Sequence, residues 1–293
     1  MASLKDLKTR INSVKSTQKI TAAMKMVAAA KLRRAQESAE SGRPYSNKMR
    51  GLINNLAAEA NPASAPPLLV GNGKDKTHLL VALSADRGLC GGFNGSITRQ
   101  IRSEIQRLSA EDKNVKLFMI GRKSADSLSR EFSDIFYDRL EGLQGNSVNY
   151  NAAASIAKRI IVAFESGEFD VCTMIFNKFK NAITQEMTIT RLIPAVLDSD
   201  GGAETNSLTA DYEYEPEEDE LLASLLPRSL STQIYSALLE SSAAELAARM
   251  TAMDNATRNA GDLIDRLTLV YNRTRQANIT NELIEIISGA EAV

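Results

Sequence analysis

The sequence has one histidine, His78, and no tryptophan, and only two cysteines among its 293 residues. A single histidine excludes His-based zinc clusters and leaves little room for acid–base chemistry that depends on imidazole. Cys90 and Cys172 lie 82 positions apart, which is neither a disulfide framework nor a metal-ligand spacing. They read as reduced thiols in a cytoplasm-like compartment. No apolar run approaches the ~20 residues of a membrane-spanning helix, and no apolar segment of signal-peptide type follows the N-terminus. Proline and glycine are nearly absent from both ends. None occurs between Ser3 and Ser41, and only Gly261 occurs between Arg228 and Ser288.

Long breaker-free stretches predict long helices. Ser3 and Asp6 have the spacing of a capping box, and Ser3–Ser41 would extend about 58 Å at 1.5 Å per residue. Leu4, Leu7, Ile11 and Val14 follow 3–4 spacing, and Ile20, Met24 and Val27 read as an apolar edge continued after a change of register. Gly42 and Pro44 are expected to interrupt the helix, with more helix to about residue 59 before the NPASAPP segment. At the other end Leu246, Met250, Met253, Thr257, Ala260, Ile264, Leu267, Tyr271 and Thr274 alternate by four and three, a coiled-coil seam that needs a partner. The N-terminal helix is the obvious one.

The middle alternates strand and helix. Strands are expected near 78–84, 116–121, 171–179 and 182–193, with helices over 96–108, 124–130 and 150–166. This order implies right-handed crossovers and a mainly parallel sheet. The predicted fold is two long terminal helices that pair with each other, with a Rossmann-like α/β domain inserted between them. The divisions are 1–60, 61–210 and 211–293.

Charge is unevenly placed. Residues 1–50 hold twelve Lys/Arg against three acids, and DYEYEPEEDE (211–220) holds seven acids and no base. A basic arm fits nucleic acid, an anionic membrane or an acidic protein partner, and equally a solvated helix face. The acidic run reads as a solvated connector into the last helix. The loop GLCGGFNG (88–95) lies between strand and helix but matches neither a P-loop nor G-x-G-x-x-G. A tight turn is the simpler account. Cys90 has no histidine partner except His78, at the other end of the same strand, so a buried apolar role suits it better than a nucleophile. No catalytic residue, metal site or cofactor is assigned.

Four segments carry a resemblance. QKITAAMKMVAAAKLRRAQ (18–36), SADRGLCGGFN (84–94), DYEYEP (211–216) and the C-terminal run 248–293 are similar to the gamma subunit of F-type ATP synthase. The terminal pattern stands as Ile279, Thr280, Glu282, Glu285, Gly289 and Ala290. The resemblance implies that the N- and C-terminal helices wind into a long antiparallel two-helix coiled coil, a non-catalytic rotor shaft. It would turn inside a ring of three alpha and three beta subunits and couple proton flow through a membrane c-ring to ATP synthesis or hydrolysis. The α/β domain would sit with the epsilon subunit on that ring, and no nucleic acid would be bound. Residue by residue, it implies that Arg249 and Gln276 reach a beta-subunit loop, that Met24 with Lys25 faces a beta-subunit hinge, and that Thr280 and Glu282 act in coupling. Ile286, Ile287 and Val293 would lie in an apolar sleeve. It also implies peripheral attachment at the cytoplasmic face of a bacterial inner membrane. Two other functions fit the residues alone: a nucleotide-binding α/β enzyme, and a coiled-coil adaptor that grips nucleic acid through its basic arm.

Overall fold

A computed structural model describes residues 3–59, 65–143, 148–195 and 218–291. The chain divides into two compact units, residues 1–30 with 249–293 and residues 31–248. These boundaries fall inside the two terminal helices, whereas divisions at 60 and 211 follow the change from helical to α/β patterning. The acidic DYEYEP segment lies outside the described residues.

Helix α1 runs Leu4–Glu59 and helix α6 runs Glu218–Glu291. The capping box forms as expected: the Asp6 amide donates to Ser3 Oγ at 3.1 Å and the Ser3 amide donates to Asp6 Oδ2 at 3.2 Å. The expected interruption at Gly42 and Pro44 does not occur, and α6 begins ten residues before Arg228 and runs through Pro227. Both breakers are tolerated for local reasons. Gly42 is half-buried where α1 approaches α6, and a Cβ there would stand 3.9 Å from Leu239 Cδ1, at ordinary contact distance. Next to it, Arg43 donates from Nε and Nη2 to Glu240 Oε1 at 3.0 and 2.8 Å. Glu240 Oε2 accepts from the Phe179 amide at 3.2 Å, so this buried carboxylate joins both helices to the sheet. Pro44 itself is exposed, where its missing N–H leaves a carbonyl that water can reach.

The α/β unit contains α2 (Pro67–Val70), β1 (Thr77–Leu83), α3 (Phe93–Ala110), β2 (Asn114–Ile120), α4 (Arg122–Leu128), β3 (Phe136–Leu140), α5 (Tyr150–Glu165), β4 (Val171–Phe179) and β5 (Gln185–Ile193). The strands lie in the order β3-β2-β1-β4-β5. All neighbours are parallel except β4 and β5, which form an antiparallel hairpin. The hairpin turn is held by Asn181 Oδ1, which accepts from the amides of Ile183 and Thr184 at 2.9 and 2.7 Å.

Alternation along β1 sorts its side chains onto two faces. Leu79, Val81 and Leu83 join Phe118, Met174 and Phe176 in one cluster with Ile156 and Ile160 of α5 and Leu230, Ile234 and Leu238 of α6. Leu80 and Ala82 are buried on the other side, where α3 brings Ile97, Ile101, Ile105 and Leu108. Each large apolar side chain among these contributes about 1.5–3 kcal/mol on burial. Residues 31–59 and 218–248 therefore belong to the same packed body as the sheet.

Gly121, at the end of β2, has φ of +101°. A Cβ there would lie 1.8 Å from the Ser84 carbonyl oxygen, and the Ser84 amide donates to the Ile120 carbonyl at 2.7 Å. Backbone meets backbone, so no side chain can give way. Gly121→Ala is expected to destabilise the full chain by about 3 kcal/mol or more, read from urea unfolding.

Candidate functional site: the paired-helix unit

The residues the sequence offered as chemistry have structural roles. In the glycine loop Asn94 Oδ1 accepts from the Ala85 amide at 2.9 Å, and Asn94 Nδ2 lies 3.2 Å from Cys90 Sγ. Asp86 ties the loop outward, accepting from the amides of Arg122 and Gly142 at 3.2 and 3.1 Å. Leu89 and Gly91 take positive φ, 65° and 57°, which is the tight turn expected of this stretch. Cys90 and Cys172 are buried, and burial pushes the Cys172 thiol up, away from thiolate chemistry. His78 is buried at the start of β1 with Nε2 2.8 Å from Asp75 Oδ1, and burial holds its pKa below the usual imidazole value. A groove of about 810 Å³ is lined by α1, α6, β4 and β5, among them Arg43, Arg50, Arg191 and Glu240, and no residue of the glycine loop reaches it.

The unit made of residues 1–30 and 249–293 is organised differently. On α6 every alternating position from Met250 to Thr274 is buried or half-buried, as their spacing predicts. On α1 Leu4, Leu7, Ile11, Val14, Gln18, Thr21 and Ala28 are buried or half-buried, with Lys25 completing the same alternation of three and four, and Ala22, Met24 and Ala29 beside them are half-buried. The expected change of register is therefore absent. Ile20 and Val27 are 60% and 57% exposed. The seam stays in phase by switching from apolar to small and polar side chains.

Three contacts set the pairing. The Thr21 and Thr257 hydroxyls are 2.8 Å apart. Lys25 Nζ donates to Asp254 Oδ1 at 2.6 Å. A Cβ on Gly261 would come within 3.2 Å of Gln18 Nε2, so the glycine makes room for that side chain. As position numbers rise on α1 they fall on α6, so the helices are antiparallel. By the same register Thr274 stands level with Leu4, near the start of α1. Residues 275–288 continue alone and all are exposed. That overhang carries Ile279, Leu283, Ile284, Ile286 and Ile287, with Ile286 68% exposed. Large contiguous exposed apolar surface marks an interaction site.

The residues assigned by resemblance fall on two levels. Half-buried Met24 and exposed Lys25 lie at the Asp254 level, and Arg249 is half-buried little more than a turn away. Gln276, Thr280 and Glu282 are exposed on the overhang, where Thr280 Oγ1 donates to the Gln276 carbonyl at 2.9 Å. Arg249 and Gln276 are 27 positions apart on one helix, about 40 Å. Ile287 is also exposed, and Val293 lies outside the described residues. Sequence reasoning missed Asp254, Thr21 and Gln18 as seam members. Continuing the 3–4 count from Leu4 without regard to polarity would have found Thr21 and Gln18.

The hydrogen bond from Lys25, with its charge and that of Arg258, holds the Asp254 carboxyl below its ordinary value of 3.8. A depressed carboxyl stabilises the fold above its unfolded pKa, and that contribution fades as pH falls through the lower folded value. Lys25→Ala and Asp254→Ala should each lower the thermal midpoint seen by circular dichroism at neutral pH. Lys25→Asp combined with Asp254→Lys should recover it, and high salt should shrink both deficits.

Comparison with known proteins matches the whole chain. A family profile described as ATP synthase covers residues 3–293. The ATP synthase gamma chain of Gluconacetobacter diazotrophicus is 56% identical over 294 residues, with all of both chains covered, and that of Pelagibacter ubique is 54% identical over the same span. Among solved structures, a chain from the central stalk and c-ring of the Tetrahymena thermophila mitochondrial ATP synthase is 30% identical, with a TM-score of 0.60, 81% of this chain covered and 99% of that one. A chain from the Euglena gracilis mitochondrial ATP synthase shares the fold, with a TM-score of 0.70 at 18% identity over 99% of this chain and 94% of that one. With both the terminal helices and the α/β unit inside the matched span, the chain belongs to the ATP synthase gamma chain family.

Proposed function

We propose that the paired-helix unit is a shaft that transmits torque between a proton-driven c-ring and a hexamer of three alpha and three beta subunits. The chain is a non-catalytic subunit of the ATP synthase. ATP synthesis and hydrolysis belong to other subunits, and this chain couples them to hydrogen ion transport. The observation that carries the reading is the antiparallel seam closed by Thr21–Thr257 and Lys25–Asp254, with an unpaired apolar overhang beyond it. Two helices locked side by side resist bending and twisting better than one. An overhang with Ile286 and Ile287 exposed suits an apolar sleeve at the far end of the hexamer, where Val293 would also lie.

The contacts are assigned at two levels. Met24, Lys25 and Arg249 form the first, around the polar seam, and meet a hinge and loop of the beta subunit. Gln276, Thr280 and Glu282 form the second, about 40 Å away along α6 from Arg249 to Gln276, and meet a different part of the hexamer. The α/β unit faces the epsilon subunit and the c-ring. The chain is a peripheral, membrane-associated part of that complex. No described helix is long and apolar enough to cross a membrane. We place it on the cytoplasmic face of a bacterial inner membrane, as the bacterial relatives suggest.

Contacts that drive catalytic sites must differ among the three beta subunits, because equal affinity for two conformations shifts neither. Moving one site from 1:99 to 99:1 needs about 5.5 kcal/mol of difference. A few bonds to charged groups at about 1.5–3 kcal/mol each are enough. Arg249→Ala and Gln276→Ala should therefore lower protons pumped per ATP hydrolysed in the reconstituted complex several-fold. The urea midpoint of the isolated chain should move by no more than about 1 kcal/mol equivalent. Normal pumping by both variants would remove these two residues from the coupling contacts.

A further inference from the structure

We infer that Glu240 is a positioning residue for torque transfer: its buried carboxylate holds α1 and α6 at a fixed angle to the sheet, where turning force passes from the α/β unit into the helices. The inference rests on the shaft reading above and adds to it the joint through which the shaft is driven.

Glu240 differs from the other acids that hold cations. Its side chain is 6% exposed, whereas the acids paired with Lys25, Arg102, Lys113, Arg139 and Arg159 are 31–59% exposed. Both of its oxygens are used, each by a different element. Oε1 accepts two bonds from the Arg43 guanidinium on α1, and Oε2 accepts one from the Phe179 amide at the end of β4. Phe179 pairs with Gln185 on the last rung of the β4–β5 hairpin. One side chain of α6 is thus tied to the other helix and to the backbone of the sheet at once.

Stability alone is a poor reason to keep such a group. Taking a carboxylate out of water is costly, and apolar side chains in place of a buried ion pair often leave a fold as stable or more so. Apolar packing is already plentiful, with Leu230, Ile234 and Leu238 of α6 buried in the cluster they share with the sheet. What apolar contact lacks is direction. A hydrogen bond has it, because it weakens steeply as its angle departs from linear.

The groove of about 810 Å³ shows where direction is needed. It lies where α1 and α6 face β4 and β5, and Arg43, Phe179 and Glu240 all line it. Side chains there leave room, so the helices can rock toward the strands unless something braces them. The Arg43–Glu240–Phe179 link is placed to be that brace. A joint that yields under torque turns part of the drive into bending, so its failure shows when the load is high.

The test uses the full complex reconstituted into vesicles and compares wild type, Glu240→Gln and Ile234→Val. Glutamine keeps the size of the side chain, but its amide nitrogen only donates, so it sets donor against donor at either Arg43 or Phe179. Ile234→Val trims the apolar cluster and leaves the carboxylate in place. Protons pumped per ATP hydrolysed are measured without an opposing proton gradient and against a steep one. Without opposition all three should pump alike. Against the gradient Glu240→Gln should pump several-fold fewer protons per ATP, with Ile234→Val at the wild-type ratio. Where Glu240→Gln does not assemble, Arg43→Lys carries the test: it keeps the charge and the Phe179 bond, loses the fixed guanidinium geometry, and should show a smaller drop under the same load. A wild-type ratio under load in the assembled variant would overturn the inference and leave the shaft reading intact. An equal drop in Ile234→Val would also overturn it, because general loosening would then be the cause. Pumping by the wild-type complex that does not depend on this chain would instead refute the shaft reading itself.

Discussion

Thr21 and Thr257 stand 236 positions apart in the chain, yet their hydroxyls meet at 2.8 Å, and one turn on Lys25 meets Asp254 at 2.6 Å. Much of the paired unit depends on that meeting. The apolar layers alone would accept several alignments, because Leu4, Leu7, Ile11 and Val14 repeat every three or four residues, and so do Ile264, Leu267 and Tyr271. The polar layers accept one. Sliding either helix by a heptad would set Lys25 level with Gly261 and Thr257 level with Ala28, or else strand both beside other unmatched side chains. The hydrogen bond lost at the threonine layer is worth about 1 kcal/mol. The apolar layers would hardly register the change. Polar seam positions thus select the alignment that places Met24 and Lys25 at the level of Arg249.

Legibility in the sequence followed the same division. Where burial is apolar, pattern reading located the elements closely: β4 is found at Val171–Phe179, α5 at Tyr150–Glu165, and the α6 seam at the alternating positions up to Thr274. The capping box at Ser3 and Asp6 was legible because it is a local reciprocal hydrogen bond. Reading failed where distant partners overrule local preference. Ile20 and Val27 looked like core because they are apolar, but the antiparallel partner selects Gln18 and Thr21. Gly42 and Pro44 looked like a break, but Glu240 on the other helix anchors Arg43 between them and the helix runs on. Strand β3 escaped notice because an edge strand with the sequence Phe136–Leu140 is only partly buried, so it carries no clear alternation.

The candidate site was less legible than the fold for a related reason. A shaft has no convergent set of acids, bases or ligands, and its working residues are ordinary side chains made special by what surrounds them. Asp254 shows this well. In the sequence it is one acid among many on a helix, and only the approach of Lys25 from the other end of the chain gives it a depressed carboxyl and a place in the seam. The residues carried over by resemblance, such as Gln276 and Glu282, are exposed on the overhang and have no structural task within the chain that would mark them.

Torque transmission sets two requirements that pull against each other. Stiffness asks for a tightly packed seam, and rotation asks for an outer surface without deep minima. The paired unit separates them by direction around the helix. Inward-facing positions carry the register-setting contacts and the buried residues Leu7, Ile11, Ala28, Met253 and Ala260. Outward-facing positions carry small residues such as Ala23 and Ala30, isolated apolar side chains such as Met26 and Val27, and hydrated lysines. Apolar contact is non-directional and hydrated charge is screened within about 8 Å at physiological salt, so neither holds a passing partner to one angle. Asymmetry then has to come from where these groups lie around the axis. That is why a change confined to the outer face should alter coupling while leaving the seam, and the stability it confers, largely as it was.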